Sequence, residues 1–176
     1  DVYKRQRQNQ ATAAKDRLQP ALLDRLTDHE PHLRTERPDA VFVNESRLRE
    51  ALLRDLGWLL NARDAWDHVE MEGLEHVQRS VINYGMPPLA GQLLSELDWS
   101  HVERSIRESI LAFEPRILPK TLAVTLLAST EQLNHHNTLQ FEIRCQFWSM
   151  PYPLELLLKT SLDLETGQVS LQNLRA

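Results

Sequence analysis

The sequence predicts an α+β fold, with N-terminal helices packed on one face of a C-terminal antiparallel β-meander. Apolar residues recur at helical spacing as far as Phe113, and from Leu118 onward they alternate with polar ones. The order of the two patterns is the third observation. Helices that precede a run of hairpin-linked strands gather on one side of the sheet, instead of alternating with its strands as in parallel folds.

Residues 1–20 are rich in Arg, Lys, Gln, Ala and Asn and poor in apolar side chains, so they are expected to form a flexible tail. Residues 21–40 are read as a short docking helix and a linker. Leu22, Leu23 and Leu26 share one helical face around Asp24 and Arg25, and the polar stretch from Thr27 to Pro38 follows. A helix that short is ordered only against something else, its own domain or a partner.

Residues 41–176 are expected to form one α+β domain. Its first helix spans Ser46–Ala62, with Leu48, Leu52, Leu56, Leu59 and Leu60 in a stripe and Asn44 or Ser46 as the cap. Trp58 lies off the centre of that stripe and either widens the buried face, the reading favoured, or presents an aromatic anchor to a partner. A second helix is placed near Leu74, Val77, Val81 and Ile82, with Gly85 as its positive-φ terminator before Met86-Pro87-Pro88. Ser100 and Glu103 have capping-box spacing and open a third helix, whose face is Val102, Ile106, Ser109, Ile110 and Phe113.

Beyond Pro115, Leu122, Val124 and Leu126 mark one half-buried strand, and Leu139, Phe141, Ile143, Cys145 and Phe147 mark another. Glu131–Asn137 reads as the hairpin loop between them. Pro151 and Pro153 interrupt pairing before Leu154–Leu158, and Thr166-Gly167 turns the chain toward Val169 and Leu171. So few strands cannot close into a barrel, so the sheet keeps free edges.

The chain of 176 residues carries a net charge of -5, against the basic face that nucleic-acid binding requires. Its single cysteine, Cys145, has no disulfide partner and sits in a strand pattern, which suits packing. No apolar run is long enough to span a bilayer and no secretory h-region is present, so a cytoplasmic location without membrane insertion is expected. His29, His32, His68, His76, His101, His135 and His136 form no ligand spacing, and phosphate-loop and nucleophile-elbow motifs are absent. No metal and no cofactor are expected.

Phe113-Glu114-Pro115-Arg116 stands out, because Pro115 must end the helix just where a carboxylate opposes its macrodipole by about 0.3–1 kcal/mol. Four readings are open, the plainest being a solvated Glu and Arg around a surface turn, worth almost nothing energetically. Turned outward, Glu114 and Arg116 could each make charge-assisted bonds of about 1.5–3 kcal/mol to a partner. Paired internally, they would fix the helix-to-strand corner. As one of two carboxylates in a cleft, Glu114 could serve glycoside hydrolysis.

Leu22-Leu23-Asp24-Arg25-Leu26, Leu56-Gly57-Trp58-Leu59-Leu60-Asn61-Ala62-Arg63, Ser80-Val81-Ile82-Asn83-Tyr84-Gly85-Met86-Pro87 and Glu114-Pro115-Arg116 occur in that order ahead of the paired strands. Over roughly residues 21–172 this series resembles the TssE proteins of bacterial type VI secretion systems, relatives of the lysozyme-like wedge proteins of contractile phage baseplates. Gly57 and Ala62 stand where the family more often carries bulkier or hydroxylated residues. The resemblance implies a non-enzymatic cytoplasmic wedge subunit that binds TssF and TssG, adjoins the TssB/TssC sheath, and shares its assembly with TssK and the VgrG hub. It implies protein-binding roles for Glu114, Pro115 and Arg116, for Leu22, Leu23, Asp24, Arg25 and Leu26, and for Asn61 and Arg63. Strand addition at a sheet edge is the implied mode of sheath anchoring. The alternative is a lysozyme-type peptidoglycan hydrolase acting through Glu114.

Overall fold

The computed structural model describes residues 20–28, 31–32, 34, 43–64, 73–88, 98–127 and 138–174. The expectations for the tail up to residue 19, for the loop Glu131–Asn137, and for His29, His68, His135 and His136 lie outside the described residues. The chain divides into two compact units, Asp1–Leu52 with Ser149–Pro153 and Leu53–Trp148 with Leu154–Ala176.

In the first unit, α1 (Leu22–Leu26) is a single turn with no buried residue, closed by the Thr27 hydroxyl donating to the Leu23 carbonyl at 2.8 Å. Its three leucines are exposed. Helix α2 (Glu45–Asn61) begins here. The Asn44 side chain accepts from the Arg47 amide at 2.8 Å, satisfying one of the free donors of the first turn. Leu48, Ala51 and Leu52 are buried.

The second unit holds the rest of α2, α3 (Glu75–Gln78), a 3₁₀ turn at Val81–Asn83, α4 (Trp99–Phe113), a second 3₁₀ turn at Pro119–Thr121, and the strands. Strands β1 (Ala123–Leu126), β2 (Thr138–Phe147), β3 (Leu154–Asp163) and β4 (Val169–Asn173) form one antiparallel sheet in the order β1-β2-β3-β4. The fold is α+β, as the change of period predicts. On β2, Leu139, Phe141, Ile143, Cys145 and Phe147 are all buried, so one face of the sheet is the core. Leu56, Leu59, Leu60, Val102, Ile106 and Ile110 supply helical core residues, each large side chain contributing about 1.5–3 kcal/mol relative to exposure.

Several local expectations are corrected. The second helix is only one turn plus the 3₁₀ turn, and Val81 and Ile82 are 84% and 72% exposed. Residue spacing alone cannot distinguish a stripe that meets a core from one that meets none. The third helix is capped by Asp98, whose carboxylate accepts from the Ser100 amide at 3.0 Å. Glu103 does not close a capping box; it accepts from the Leu126 amide of β1 at 2.6 Å. Trp58 is 51% exposed, not core, and lies under the Arg54 guanidinium at 5.0 Å from the ring centroid.

Gly85 takes φ 135°, as its place before Met86-Pro87 predicts. The reason is close approach: a Cβ there would lie 2.5 Å from the Ala62 carbonyl oxygen. Met86 donates to that carbonyl at 2.9 Å and accepts from the Asp64 amide at 3.1 Å, closing a short parallel bridge between Arg63 and Met86.

Candidate functional site

Helix α4 ends at Phe113 because Pro115 lacks an amide proton and disfavours helical φ and ψ at the residue before it. Glu114 is the C-cap; its amide still bonds the Ile110 carbonyl at 2.9 Å, and its own carbonyl accepts from Ile117 at 3.2 Å. The Arg116 carbonyl then accepts from Trp148 at 2.7 Å, and Leu118 donates to the Gln146 carbonyl at 2.8 Å. The corner is thereby stitched to the end of β2. Its position is fixed by backbone bonds before any side chain is counted.

The charges at this corner do not both turn outward. Glu114 is 5% exposed, and both of its carboxylate oxygens are engaged by Arg116: Oε1 by Nε at 2.7 Å and by the backbone amide at 3.2 Å, Oε2 by Nη2 at 2.5 Å. A carboxylate withdrawn from water needs such a partner, and an arginine fork supplies it in two parallel bonds. The internal pair weighed from sequence is therefore present. Pro115 stays exposed at the apex, and Arg116 is 23% exposed.

Sequence reasoning missed the third member. Arg116 Nη2 also donates to Asp55 Oδ2 at 2.6 Å, and Asp55 Oδ1 accepts from Arg54 at 2.9–3.0 Å. Two cations and two carboxylates thus alternate from Trp58 to the corner. The signal was available: Asp55 is four residues after Ala51 and four before Leu59, both buried, so its carboxylate sits on the shoulder of the apolar stripe.

Burial alone would lower the Arg116 pKa, but the hydrogen bonds and charges of Glu114 and then Asp55 outweigh it and leave it raised. The Tyr84 phenol is also pushed up, by burial first and then by the negative charges of Asp55 and Glu114. Its ring stands edge-on to Phe113 at 5.3 Å. The Cys145 thiol rises to about 11, from burial first and then from the Glu114 charge. Ser109, on the buried face of α4, donates to the Gly85 carbonyl at 2.6 Å. This explains a hydroxyl in an otherwise apolar face.

Asn61 and Arg63 lie elsewhere. The Asn61 amide donates to the Val169 carbonyl at 2.9 Å and accepts from the Val169 amide at 2.8 Å, while Arg63 is exposed beside its bridge to Met86. Both line a cleft of about 410 Å³ with Met86, Pro87, Gly167 and Gln168, and Glu114 is not part of it. Of the α1 residues, Asp24 is half-buried, while Arg25 and the leucines are exposed. Among the described residues, no group of three or more His, Cys, Asp and Glu is placed to hold a metal ion, and no helix is long and apolar enough to cross a membrane.

No curated protein and no solved structure matches the chain. A family model, that of baseplate wedge protein gp25, matches residues 46–152, which takes in α2, the Gly85 turn, α4, the ion-paired corner and the β1–β2 hairpin. The chain belongs to the gp25 family of baseplate wedge proteins, structural components of contractile injection machinery.

Proposed function

We propose that this wedge protein serves a bacterial type VI secretion baseplate in the cytoplasm, without catalysis. In this reading the Glu114-Pro115-Arg116 corner docks on a TssF/TssG bundle, and an edge of the sheet anchors the TssB/TssC sheath by strand addition. TssK and the VgrG hub are more distant neighbours in the same assembly.

The observation that carries the reading is the pre-organised corner. Arg116 is held by two carboxylates, so an approaching partner meets a side chain that has already lost most of its rotamer freedom. Arg116 remains 23% exposed beside the exposed Pro115, so part of the guanidinium's side chain stays within a partner's reach. The exposed leucines of α1 supply a second contact, since a single turn is ordered best in a partner's groove.

Glu114 is poorly suited to lysozyme-type chemistry. A general acid must reach the leaving oxygen, whereas both Glu114 oxygens face Arg116 and the cleft lies elsewhere.

The test is co-purification with TssF and TssG. Arg116→Ala also leaves Glu114 unpaired inside the protein, so a paired variant, Glu114→Leu with Arg116→Met, removes both charges while keeping the volume. Loss of the complex by a paired variant with native near-UV circular dichroism supports the reading; wild-type recovery of the complex overturns it.

A further inference from the structure

Both edges of the sheet have one backbone rung occupied by a side chain, and the two edges are closed to different extents. On β1, the Leu127 amide bonds the Gln140 carbonyl of β2, so alternation turns the backbone groups of Val124 and Leu126 away from the sheet. Glu103 takes the outward Leu126 amide, and α4 packs against this strand of four residues. On β4, Asn61 takes both the N–H and the C=O of Val169, which must therefore point away from β3. The Asp163 amide bonding Gln168 confirms the phase. Leu171, two residues on, then turns its N–H and C=O to the same free side.

The Asn61 carboxamide presents one donor and one acceptor to Val169, as the peptide group of a neighbouring strand would. It is a one-rung substitute for a fifth strand, and it ends where α2 ends. Beyond it, Val169-Ser170-Leu171-Gln172-Asn173 carries no charge and no proline, the devices that usually guard an edge. Val169 is buried and Leu171 half-buried on one face, while Ser170 and Gln172 are exposed on the other. The shape and polarity fit an extended strand that alternates apolar and polar residues. Gly57 adds no side chain on the α2 flank beside Leu171, where a Cβ would meet only the Leu171 Cδ1, at 3.8 Å.

From this we infer that β4 is the edge that receives the added strand, pairing at Leu171, and that Asn61 is the stop that fixes its register. The inference rests on the strand-addition reading above and names the edge and the specificity-determining residue. Because a slip of one residue would invert every side chain of the incoming strand, a fixed stop specifies a single register.

Amide hydrogen exchange of the wild-type protein, free and bound to purified TssB/TssC sheath, tests it without a mutation. On binding, the Leu171 amide is expected to slow by about tenfold or more, while Val124 is unchanged and Val169, already held by Asn61, is unchanged. In Asn61→Ala the Val169 amide should exchange freely in the unbound protein and become protected in the complex, because pairing then runs past the stop. Protection of Val124 in place of Leu171 would overturn the choice of edge and leave strand addition standing. A complex that protects neither amide would remove strand addition itself. Continued exchange at Val169 in the Asn61→Ala complex would remove Asn61 as the stop.

Discussion

Asp55 and Arg116, 61 residues apart in sequence, are joined by a 2.6 Å hydrogen bond that ties the middle of α2 to the corner after α4. Arg116 cannot be removed without stranding the buried Glu114. Arg116→Ala is therefore expected to lower stability by about 3–5 kcal/mol, read as a fall in urea midpoint, and Asp55→Asn by about 1–2 kcal/mol, because Arg116 then keeps both of its side-chain bonds to Glu114. An unchanged midpoint in Arg116→Ala would mean that the pair is not formed in solution.

Two glycines should respond in opposite directions. At Gly85 a methyl group would meet backbone atoms of Ala62 and Arg63 at 2.5–2.8 Å in a positive-φ conformation, so Gly85→Ala should cost more than about 2 kcal/mol. At Gly57, inside α2, the added methyl has ordinary contact only, and Gly57→Ala should stabilise by about 0.5–1 kcal/mol. Thermal denaturation of the two variants side by side checks both signs.

Cys145 should be inert in the native state. Its thiol is raised from the usual 9.0 to about 11, so the fold holds the protonated form. The corresponding stability is fully present below pH 9, where the unfolded thiol is also protonated, and is lost as pH rises from there through about 11. Cys145→Ser should flatten the decline of stability across that interval. A thiol reagent at pH 8 should label the wild type only as fast as the protein opens; immediate labelling would refute the buried thiolate penalty.

At the β3–β4 turn the sign reverses. The Asp163 carboxylate accepts from the Glu165 amide at 2.8 Å and the Thr166 amide at 3.3 Å, which hold its pKa below the ordinary value. Its contribution is present above the unfolded pKa near 3.8 and is lost as pH falls through the lower folded value. Asp163→Asn should reduce the acid sensitivity of the turn, measured by amide exchange at Gly167 and Val169 between pH 5 and pH 2. Equal pH dependence in both proteins would show that the carboxylate does not carry it.

The strands were legible because their alternation follows from burial of one face, and Leu139 to Phe147 reads the same in sequence and in structure. Gly85 was legible because few other residues suit a positive φ. The capping of α4 was not, since Asp98 and Ser100 both suit a cap and only the backbone decides; Glu103, freed from the cap, serves β1 instead. The corner was half legible. Pro115 sets its place and the pairing of Glu114 with Arg116 is local, but the bond from Arg116 to Asp55 spans 61 residues, and the apolar stripe marks only that Asp55 lies on its shoulder, not which cation it meets. The Asn61 clamp on Val169 spans 108 residues and was hidden for the same reason.

Asp55 and Asn61 are six residues apart on α2, about 9 Å along its axis and about 120° around it. One grips the corner and the other grips the edge of β4. The helix is thus a strut between two attachment points, and its ladder of hydrogen bonds makes it stiff along its length. Leu56, Leu59 and Leu60, between those two residues, are buried, so the helix that joins the corner to β4 is itself held by the core. Neither the corner nor the β4 edge can shift without moving a helix that the core grips.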